Sequence, residues 1–335
     1  MQPGPIRILP AGGPEVASAR LRALALARAL AAAGADVAVG AGREAGFLLV
    51  QKRLGRETLA QAMEAAGRGV PVLWDADDTG PALDFWARPR RRERLLPFLA
   101  GVTTDTTGHA EQLAPLAGSR PLEVVPDMVD YDPPGPQPLA DLPVRPLRIL
   151  WFGSFSNIGL LERWLPAIAR LPDIELVACT SAPPETGLWR RWPMLRHRPW
   201  SVDAFVGVLR SCHLSLLMHD GGPDDRGKSN NRQITSMCWG VPAIVSRTPA
   251  YADTAAACGA GETVCDGPEA LAGIIEGLRS PAKRQHLLHL AQPEIWKRWS
   301  PATVARTALA AYARIAASPP PRRPGPLARL SAHLP

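Results

Sequence analysis

One loop of the sequence gathers cations and neutral hydrogen-bond donors immediately before a predicted helix, which extends from about Asn231 to Trp239. The loop reads His219-Asp-Gly-Gly-Pro-Asp-Asp-Arg-Gly-Lys-Ser-Asn-Asn-Arg232. A helix start offers free backbone N–H groups and the positive end of the helix dipole, and lysine and arginine add fixed charge, so the arrangement suits a diphosphate. The predicted contacts come from Lys228, Ser229, Asn230, Asn231 and Arg232. The alternative is an exposed polar loop with an ordinary helix cap.

A second candidate is the acidic loop Asp75-Ala-Asp-Asp-Thr-Gly80, which follows a predicted strand. Carboxylates this close repel one another, which can raise a pKa and leave one group available as a general base. Asp75, Asp77 and Asp78 are therefore the candidate catalytic residues. Two alternatives stay open: magnesium binding, which clustered carboxylates suit, and aspartates that only form turns and caps.

The third candidate is Ser18-Ala-Arg-Leu-Arg22, at the start of the first predicted helix. Ser18 is predicted to cap this helix, which extends to about Ala33. Arg20 and Arg22 fall on different helical faces, so at most one is expected to point toward a ligand. A capped, solvated helix is the alternative. The preceding glycines lack the G-x-G-x-x-G pattern, which argues against a dinucleotide-dependent oxidoreductase.

Two series of elements are predicted to position these residues. Short apolar strands alternate with helices up to about residue 132 and again from residue 147, which indicates βαβ units and mostly parallel sheets. Ligands bind at the carboxyl ends of such strands. The proline-rich residues 133–146 predict a semi-rigid linker, so we expect an α/β protein with two Rossmann-like domains, 1–132 and 147–300. An amphipathic helix over 302–317 and a flexible tail over 318–335 complete the prediction.

The composition fits this architecture and narrows the partners. The 335 residues are 46% hydrophobic and 21% charged, as in globular proteins of two domains. The net charge of +7 suits anionic partners, although base composition of the genome could also account for it. Five scattered cysteines argue against a disulfide framework or structural zinc. The sequence shows neither a membrane-spanning run nor a signal peptide, so a cytoplasmic location is expected.

Two stretches mix arginine with aromatic residues, 85–98 and 189–200. Anionic membrane surfaces attract such segments, and arginine and tryptophan can also stack on single-stranded nucleic acid. A solvated face is the third interpretation. We expect residues 88–98, in which Leu95, Leu96 and Phe98 alternate with arginines, to aid contact with an anionic membrane or a lipid-linked acceptor.

Several of these segments resemble GT-B glycosyltransferases, in particular bacterial members of the large family that includes the sucrose and glycogen synthases. Lys228-Ser-Asn-Asn-Arg232, the short helix and Gly240-Val-Pro-Ala-Ile-Val-Ser246 are similar to their donor-site segment. Leu150-Trp-Phe-Gly-Ser-Phe-Ser156 resembles the strand and glycine turn that open their donor domain, which adds Gly153 and Ser154 to the candidate donor-binding residues. Val125-Pro-Asp-Met-Val-Asp130 resembles the end of their first domain. The resemblance is specific only from Lys228 to Ser246.

The resemblance implies the GT-B architecture, in which two Rossmann-like domains face each other across a cleft and the last helix packs back on the first domain. It implies transfer of a sugar from a nucleotide-diphosphate sugar to a hydroxyl acceptor, in bacterial glycan, glycolipid or glycoprotein biosynthesis, without a metal ion or another cofactor. Ser18, Arg20 and Arg22 match a serine and arginine pattern near that cleft, and the aspartate loop would face the acceptor.

The sequence also departs from that family. Its members carry two glutamates around the donor helix, where this chain has Gly227 and Thr235, and the usual arginine and lysine after the glycine turn are replaced by Ser154-Phe-Ser-Asn157. A nucleotide-binding subunit without catalysis is therefore an alternative. A nucleic-acid-binding α/β protein is a weaker one, because no recognised nucleic-acid motif is present.

Overall fold

The structure is a computed structural model that describes residues 4–40, 42, 45–183 and 190–331. The chain forms two compact units. Unit 1 comprises the chain up to Met128, the short segment Gly227–Ser229 and the chain from Trp299 onward. Unit 2 comprises Val129–Arg226 and Asn230–Arg298, so it contains the proline-rich residues that the sequence predicts as a linker.

Unit 1 is built on a six-stranded parallel sheet with the order β2-β1-β3-β4-β5-β6. Its strands are β1 Ile6–Leu9, β2 Val37–Val39, β3 Phe47–Gln51, β4 Val72–Asp75, β5 Gly101–Thr104 and β6 Leu122–Val124. Every residue of β3, β4 and β5 is buried, as expected of parallel strands with helices on both faces.

The first helical run of unit 1, α1, consists of an α-helical turn Ala17–Ala19, a π-helix Arg20–Ala25 and an α-helix Leu26–Ala32. The other helices are α2 Arg56–Gly67, α3 Gly80–Trp86, α4 Pro89–Leu95 with the 3-10 turn Leu96–Phe98, α5 Thr107–Ala117, α12 Pro301–Ala317 and α13 Pro326–Ser331. In α12, alanines and Tyr312 pack against α1 and the sheet, and the ring of Tyr312 lies 5.1 Å from that of Phe47.

Two details of unit 1 differ from the sequence predictions. Val16, not Ser18, is the N-cap residue of α1. Residues 326–331, within the segment predicted as a flexible tail, form α13, where Ala328 packs against the core and Arg329 lies beside Gly67. Ala328 can approach closely there because α2 offers alanine and glycine, which leave room for it. Residues 332–335 of the predicted tail lie outside the described residues.

Unit 2 has a six-stranded parallel sheet with the order β12-β11-β10-β7-β8-β9. Counted from β7 as its first strand, this is the 3-2-1-4-5-6 order of Rossmann folds, whose ligand crevice lies where the order reverses, beside the first strand. The strands are β7 Leu147–Phe152, β8 Ile174–Thr180, β9 Leu195–Pro199, β10 Leu214–Leu217, β11 Ala243–Ser246 and β12 Val264–Cys265.

Helices flank the sheet of unit 2. They are α6 Leu165–Ile168, α7 Phe205–Arg210, α8 Asn231–Cys238, α9 Pro249–Ala257, α10 Pro268–Gly277 and α11 Pro281–Trp299, with 3-10 turns at Phe155–Leu161, Pro223–Gly227 and Gly261–Thr263. Between β7 and β8 the chain forms the 3-10 turn Phe155–Leu161 followed by the short α6. After α8 the chain turns at Gly240, whose φ of 81° and close approach to the Pro138 carbonyl exclude a side chain.

All five cysteines are free and buried. Burial raises the pKa of the Cys179 and Cys238 thiols to about 12, so they are packing residues and not nucleophiles. Among the described residues, none of the helices combines the length and the apolar character needed to cross a membrane.

Candidate functional site

In unit 1, charged side chains collect at the carboxyl ends of neighbouring strands. Lys52 follows β3, Asp75 ends β4 with Asp77 and Asp78 after it, and Asp105 follows β5. Because parallel strands end at the same edge of a sheet, the topology brings these groups together. The predicted aspartate loop therefore lies within a larger set of charges.

Asp75 forms a bidentate ion pair with Arg22. The Nε and Nη2 atoms of Arg22 donate to the two carboxylate oxygens over 2.8 and 2.6 Å, and the Thr103 hydroxyl donates to Oδ1 over 2.6 Å. Arg22 Nη1 also donates to Asp127 Oδ1, over 3.0 Å. Burial alone would lower the pKa of Arg22, but the charges of Asp75 and Asp127 raise it. With both oxygens engaged, Asp75 is a structural partner of Arg22 and the weakest base candidate of the three aspartates.

Asp77 is the strongest of the three. Its side chain is 9% exposed, and Lys52 Nζ lies 3.3 Å from its Oδ1 and also pairs with Asp78. Burial raises the pKa of Asp77 to about 7, against the opposing charges of Lys52 and Arg22. A carboxyl group that titrates near neutrality can accept a proton and release it again at physiological pH.

The carboxylates of this cluster are matched by cations. Among the residues that the structure describes, no three or more His, Cys, Asp or Glu side chains are arranged to hold a metal ion. Arg22 and Lys52 instead neutralise the predicted aspartates. Those two cations carry out the charge compensation that magnesium would supply in the alternative interpretation.

Lys52 also explains the position of Ser18. Its Nζ lies 3.4 Å from the Ser18 hydroxyl and 5.0 Å from the centre of the Trp86 ring. Its backbone has a positive φ of 58°, which is uncommon for a residue other than glycine and is held here by a 2.7 Å hydrogen bond from Lys52 N to Asp75 O. Ser18 and Arg22 thus belong to one cluster, whereas Arg20 donates to the Pro14 carbonyl over 2.8 Å.

Contrary to the expectation for a regular helix, Arg20 and Arg22 are both buried, because the π-helix that contains them changes the angular spacing of its residues. Single-turn π-helical segments are frequent at functional sites.

The segment Gly227–Ser229 is held within unit 1 at both of its ends. The Thr106 hydroxyl donates to Gly227 O over 2.9 Å, and the Ser229 hydroxyl donates to Asp127 Oδ2 over 2.8 Å. Lys228 lies between these anchors and is half-buried; in the described part of the chain, no hydrogen bond or ion pair joins its side chain. Ser229 therefore positions Lys228, whose ammonium group is left for a ligand.

Gly227 packs directly against His109. A Cβ atom added at position 227 would lie 2.0 Å from Cδ2 of that ring, so no side chain fits there. The ring is itself held by Asp105, with 2.5 Å between Nδ1 and Oδ1. This packing accounts for the absence of the glutamate that the resembling family carries at this position. The second absent glutamate is replaced by Thr235, whose hydroxyl accepts from Asp130 N over 3.0 Å within unit 2.

In unit 2, Arg232 is oriented by two acceptors. Its Nη1 donates to Phe152 O over 3.0 Å, and its Nη2 lies 2.7 Å from Nε2 of His219. Because arginine only donates, we assign His219 Nε2 as the acceptor and Nδ1 as the protonated nitrogen. Nδ1 lies 3.1 Å from Asp225 Oδ1, which completes a chain from Asp225 through His219 to Arg232.

Asp225 is anchored in turn by the loop around it. Gly221 N and Gly222 N donate to its Oδ2 over 2.9 and 3.2 Å. Burial would raise the pKa of Asp225, but the hydrogen bond from His219, together with these N–H groups, lowers it. The carboxylate thus stays ionised and holds the imidazole in one tautomer.

The remaining predicted donor-site residues have different surroundings. Gly153 follows β7, and a Cβ added to it would lie 3.3 Å from Arg232 Nη1. Ser154 is exposed and shares a hydrogen bond with Ser156 over 2.9 Å. Asn230 is buried and donates to Thr254 Oγ1 over 2.7 Å, which ties the start of α8 to α9, and Asn231 is the first residue of α8. Gly153 and Arg232 are thus brought together, while Asn230 has a structural role.

Sequence reasoning missed Lys52, His109 and His219 as parts of these clusters. The available signal was their position shortly after strand ends: Lys52 is the next residue after β3, His219 is the second residue after β10, and His109 is the fifth after β5. Ligand sites of α/β sheets lie there.

The fold of the chain matches solved structures of glycosyltransferases. Sucrose-phosphate synthase from Thermosynechococcus elongatus aligns with a TM-score of 0.64 and 16% identity, over 94% of this chain and 100% of that one. The Anabaena protein HepE, solved in complex with UDP, aligns with a TM-score of 0.62 and 10% identity, over 93% and 100%. The chain has the GT-B glycosyltransferase fold.

The GT-B match extends to longer proteins. TarM from S. aureus aligns with a TM-score of 0.60 and 9% identity over 79% of this chain, which spans only 55% of the TarM chain. Comparison with protein-family models and with curated proteins finds no match. Arg232 belongs to unit 2, and Lys228 and Asp77 belong to unit 1.

Proposed function

We propose that the protein is a glycosyltransferase that moves a sugar from a nucleotide-diphosphate sugar to a hydroxyl acceptor. The observation that carries the proposal is the pre-oriented guanidinium of Arg232, held by Phe152 O and His219 beside Gly153, at the strand ends where a Rossmann sheet binds ligands. The GT-B fold, and the UDP bound to HepE, support a nucleotide donor.

On the donor side, Lys228 and Arg232 stabilise the diphosphate as it leaves. Negative charge grows on that group in the transition state, so cations positioned beforehand lower the barrier without reorganising. Arg232 can donate two parallel hydrogen bonds to one phosphate group, whereas Lys228 acts as a point charge. The proposal requires no metal ion or other cofactor, because these two side chains supply the positive charge.

On the acceptor side, Asp77 acts as the general base. Its carboxylate accepts the proton of the acceptor hydroxyl, the hydroxyl oxygen forms a bond to the anomeric carbon, and the diphosphate leaves with the electron pair of the broken bond. A carboxyl group whose pKa burial raises to about 7 is strong enough to assist this step and still be ionised in about half of the molecules at neutral pH.

We assign the reaction to bacterial glycan, glycolipid or glycoprotein biosynthesis, in the cytoplasm and in peripheral contact with an anionic membrane surface. Four exposed arginines support such contact: Arg53, Arg56, Arg88 and Arg90. A nucleotide-binding subunit without catalysis is the second candidate, and the replacement of both family glutamates by Gly227 and Thr235 favours it. Turnover of a nucleotide sugar in the presence of acceptor separates the two.

Replacing the donor-side cations is expected to weaken nucleotide binding. Removal of one charge-assisted contact costs about 1.5–3 kcal/mol, or about 10- to 150-fold in affinity, for Lys228→Ala and for Arg232→Ala. Calorimetric titration with UDP, GDP, ADP and dTDP measures the change and identifies the preferred base. Arg247→Ala is the matched control, since this exposed arginine of unit 2 pairs with Asp266. Unchanged affinity in both variants would place the nucleotide site elsewhere.

A further inference from the structure

Two segments of unit 1 meet just beyond β3. Leu54 N donates to Trp86 O over 3.0 Å, and Arg91 Nη1 donates to Leu54 O over 3.1 Å. These hydrogen bonds hold the turn before α2 against the junction of α3 and α4. The two segments therefore form one continuous surface.

Four arginines project from this surface, and we call them the arginine cluster: Arg53, Arg56, Arg88 and Arg91. The first three are exposed and the fourth is half-buried. Slight burial and the positive charges of Arg88, Arg56 and Arg53 lower the pKa of Arg91, as expected when guanidinium groups lie close enough to repel one another.

The described residues provide no carboxylate partner for the arginine cluster. Among the described residues, none of its four members forms an ion pair with a carboxylate. By contrast, four exposed arginines elsewhere each pair with one: Arg68, Arg145, Arg247 and Arg314. Four like charges without compensation cost stability, and an anionic ligand would remove that cost.

Trp86 connects the arginine cluster to the candidate base. The backbone of Trp86 accepts the hydrogen bond from Leu54, and its ring lies 5.0 Å from Lys52 Nζ. Lys52 in turn lies 3.3 Å from Asp77. Two contacts thus connect the surface of the cluster to the carboxylate that would deprotonate an acceptor.

An exposed aromatic residue adjoins the cluster. Phe85 is 76% exposed and packs edge-on against Trp86, with 5.2 Å between ring centres. The apolar residues that the sequence suggested as membrane contacts are placed otherwise: Leu95 is buried, and Leu96 and Phe98 pack against the core of unit 1. In the second stretch, Trp189 lies outside the described residues and Trp200 donates to Tyr131 over 3.2 Å.

We propose that the arginine cluster binds a phosphate or diphosphate group of the acceptor and thereby places the acceptor hydroxyl near Asp77. Guanidinium groups recognise phosphate oxygens through paired, charge-assisted hydrogen bonds, and four of them suit a multiply charged group. The assignment rests on the proposed function, which it deepens by naming the acceptor class. The phosphate belongs either to a soluble acceptor or to a lipid, for which Phe85 would supply the apolar contact.

Binding of inorganic pyrophosphate tests the assignment without any turnover. The titrations use the Lys228→Ala, Arg232→Ala background, so that the donor-side cations do not contribute. Replacing all four arginines of the cluster by glutamine is expected to weaken pyrophosphate binding at least tenfold. The control replaces Arg68, Arg145, Arg247 and Arg314 by glutamine, which lowers the net charge by the same amount as the replacement of the cluster. Equal affinity in the two variants would overturn the proposal.

Two further arms complete the experiment. A triple variant that retains Arg91, whose side chain bonds Leu54 O, covers the case in which the quadruple variant does not fold. Flotation with vesicles of phosphatidylcholine and phosphatidic acid separates the sources of the phosphate. If the variants of the cluster lose both pyrophosphate and vesicle binding, the group is a lipid headgroup; if they lose only pyrophosphate binding, the acceptor is soluble. Because neither arm measures sugar transfer, the proposed function can fail while the cluster still binds phosphate.

Discussion

Asp77→Asn is expected to lower the rate of sugar transfer by about 10²–10⁴-fold, the usual contribution of general-base assistance. The amide keeps the size of the side chain and cannot accept the proton. Nucleotide affinity should stay within about twofold, because Arg232 and Lys228, the proposed diphosphate-binding groups, are unchanged. Steady-state kinetics with nucleotide sugar and acceptor, together with calorimetric titration of nucleotide, measure the two quantities separately.

The pH dependence of the parent enzyme gives an independent readout. The base must be ionised, and burial raises the pKa of Asp77 to about 7, so kcat/KM should fall about tenfold per pH unit below 7 and level off above it. Asp77→Asn should lose this limb. Lys52→Met should move it to higher pH, because the Lys52 charge lowers the pKa of Asp77 and its removal leaves burial unopposed by that charge.

Two controls distinguish the base from its neighbours. Asp84→Asn changes an exposed carboxylate on α3 that pairs with Arg92, and it should leave the rate unchanged. Asp78→Asn removes the second partner of Lys52 and should alter the pH profile more than the limiting rate. Parent-like turnover of Asp77→Asn would mean that the aspartates serve Lys52 and Arg22 only, and that the base is another residue.

The architecture could be predicted from the sequence because the periodicity of apolar residues is a local property. Alternating strands and helices are read within windows of a dozen residues, and they predicted the α/β class and the two Rossmann-like units that the GT-B match confirms. The carboxyl-end rule also led to the aspartate loop and to the loop before α8. In both cases the prediction needed only the order of neighbouring elements.

The roles of individual residues were harder to predict from the sequence, because their partners are far away in the chain. Asp75 looks like a base candidate until Arg22, 53 residues earlier, is seen to occupy both oxygens. Gly227 looks like a lost glutamate until Thr106 and His109 are seen to pack on it. The π-helix that buries both Arg20 and Arg22 has no local signature in an alanine- and leucine-rich helix, so a regular helix was the natural expectation.

Arg22→Met is expected to lower the free energy of unfolding of unit 1 by about 3–5 kcal/mol, since removing one partner leaves buried charges uncompensated. The side chains of Arg22, Asp75 and Asp127 are 3%, 2% and 7% exposed, so water cannot replace the lost contacts. Methionine is close in length and keeps the apolar packing of the stem, which confines the change to the guanidinium.

Calorimetric unfolding of the variant measures this loss, and the surface pair of Arg314 with Glu123 provides the comparison. Those two side chains are 57% and 22% exposed, so water screens the pair and Arg314→Met should destabilise the protein far less than Arg22→Met. Adding Asp75→Asn to Arg22→Met should restore part of the stability, because it removes one of the two stranded charges. If Arg22→Met and Arg314→Met destabilise the protein equally, Arg22 does not hold the charge cluster together. The conformation of the Arg22 side chain would then have to come from the packing of α1 alone.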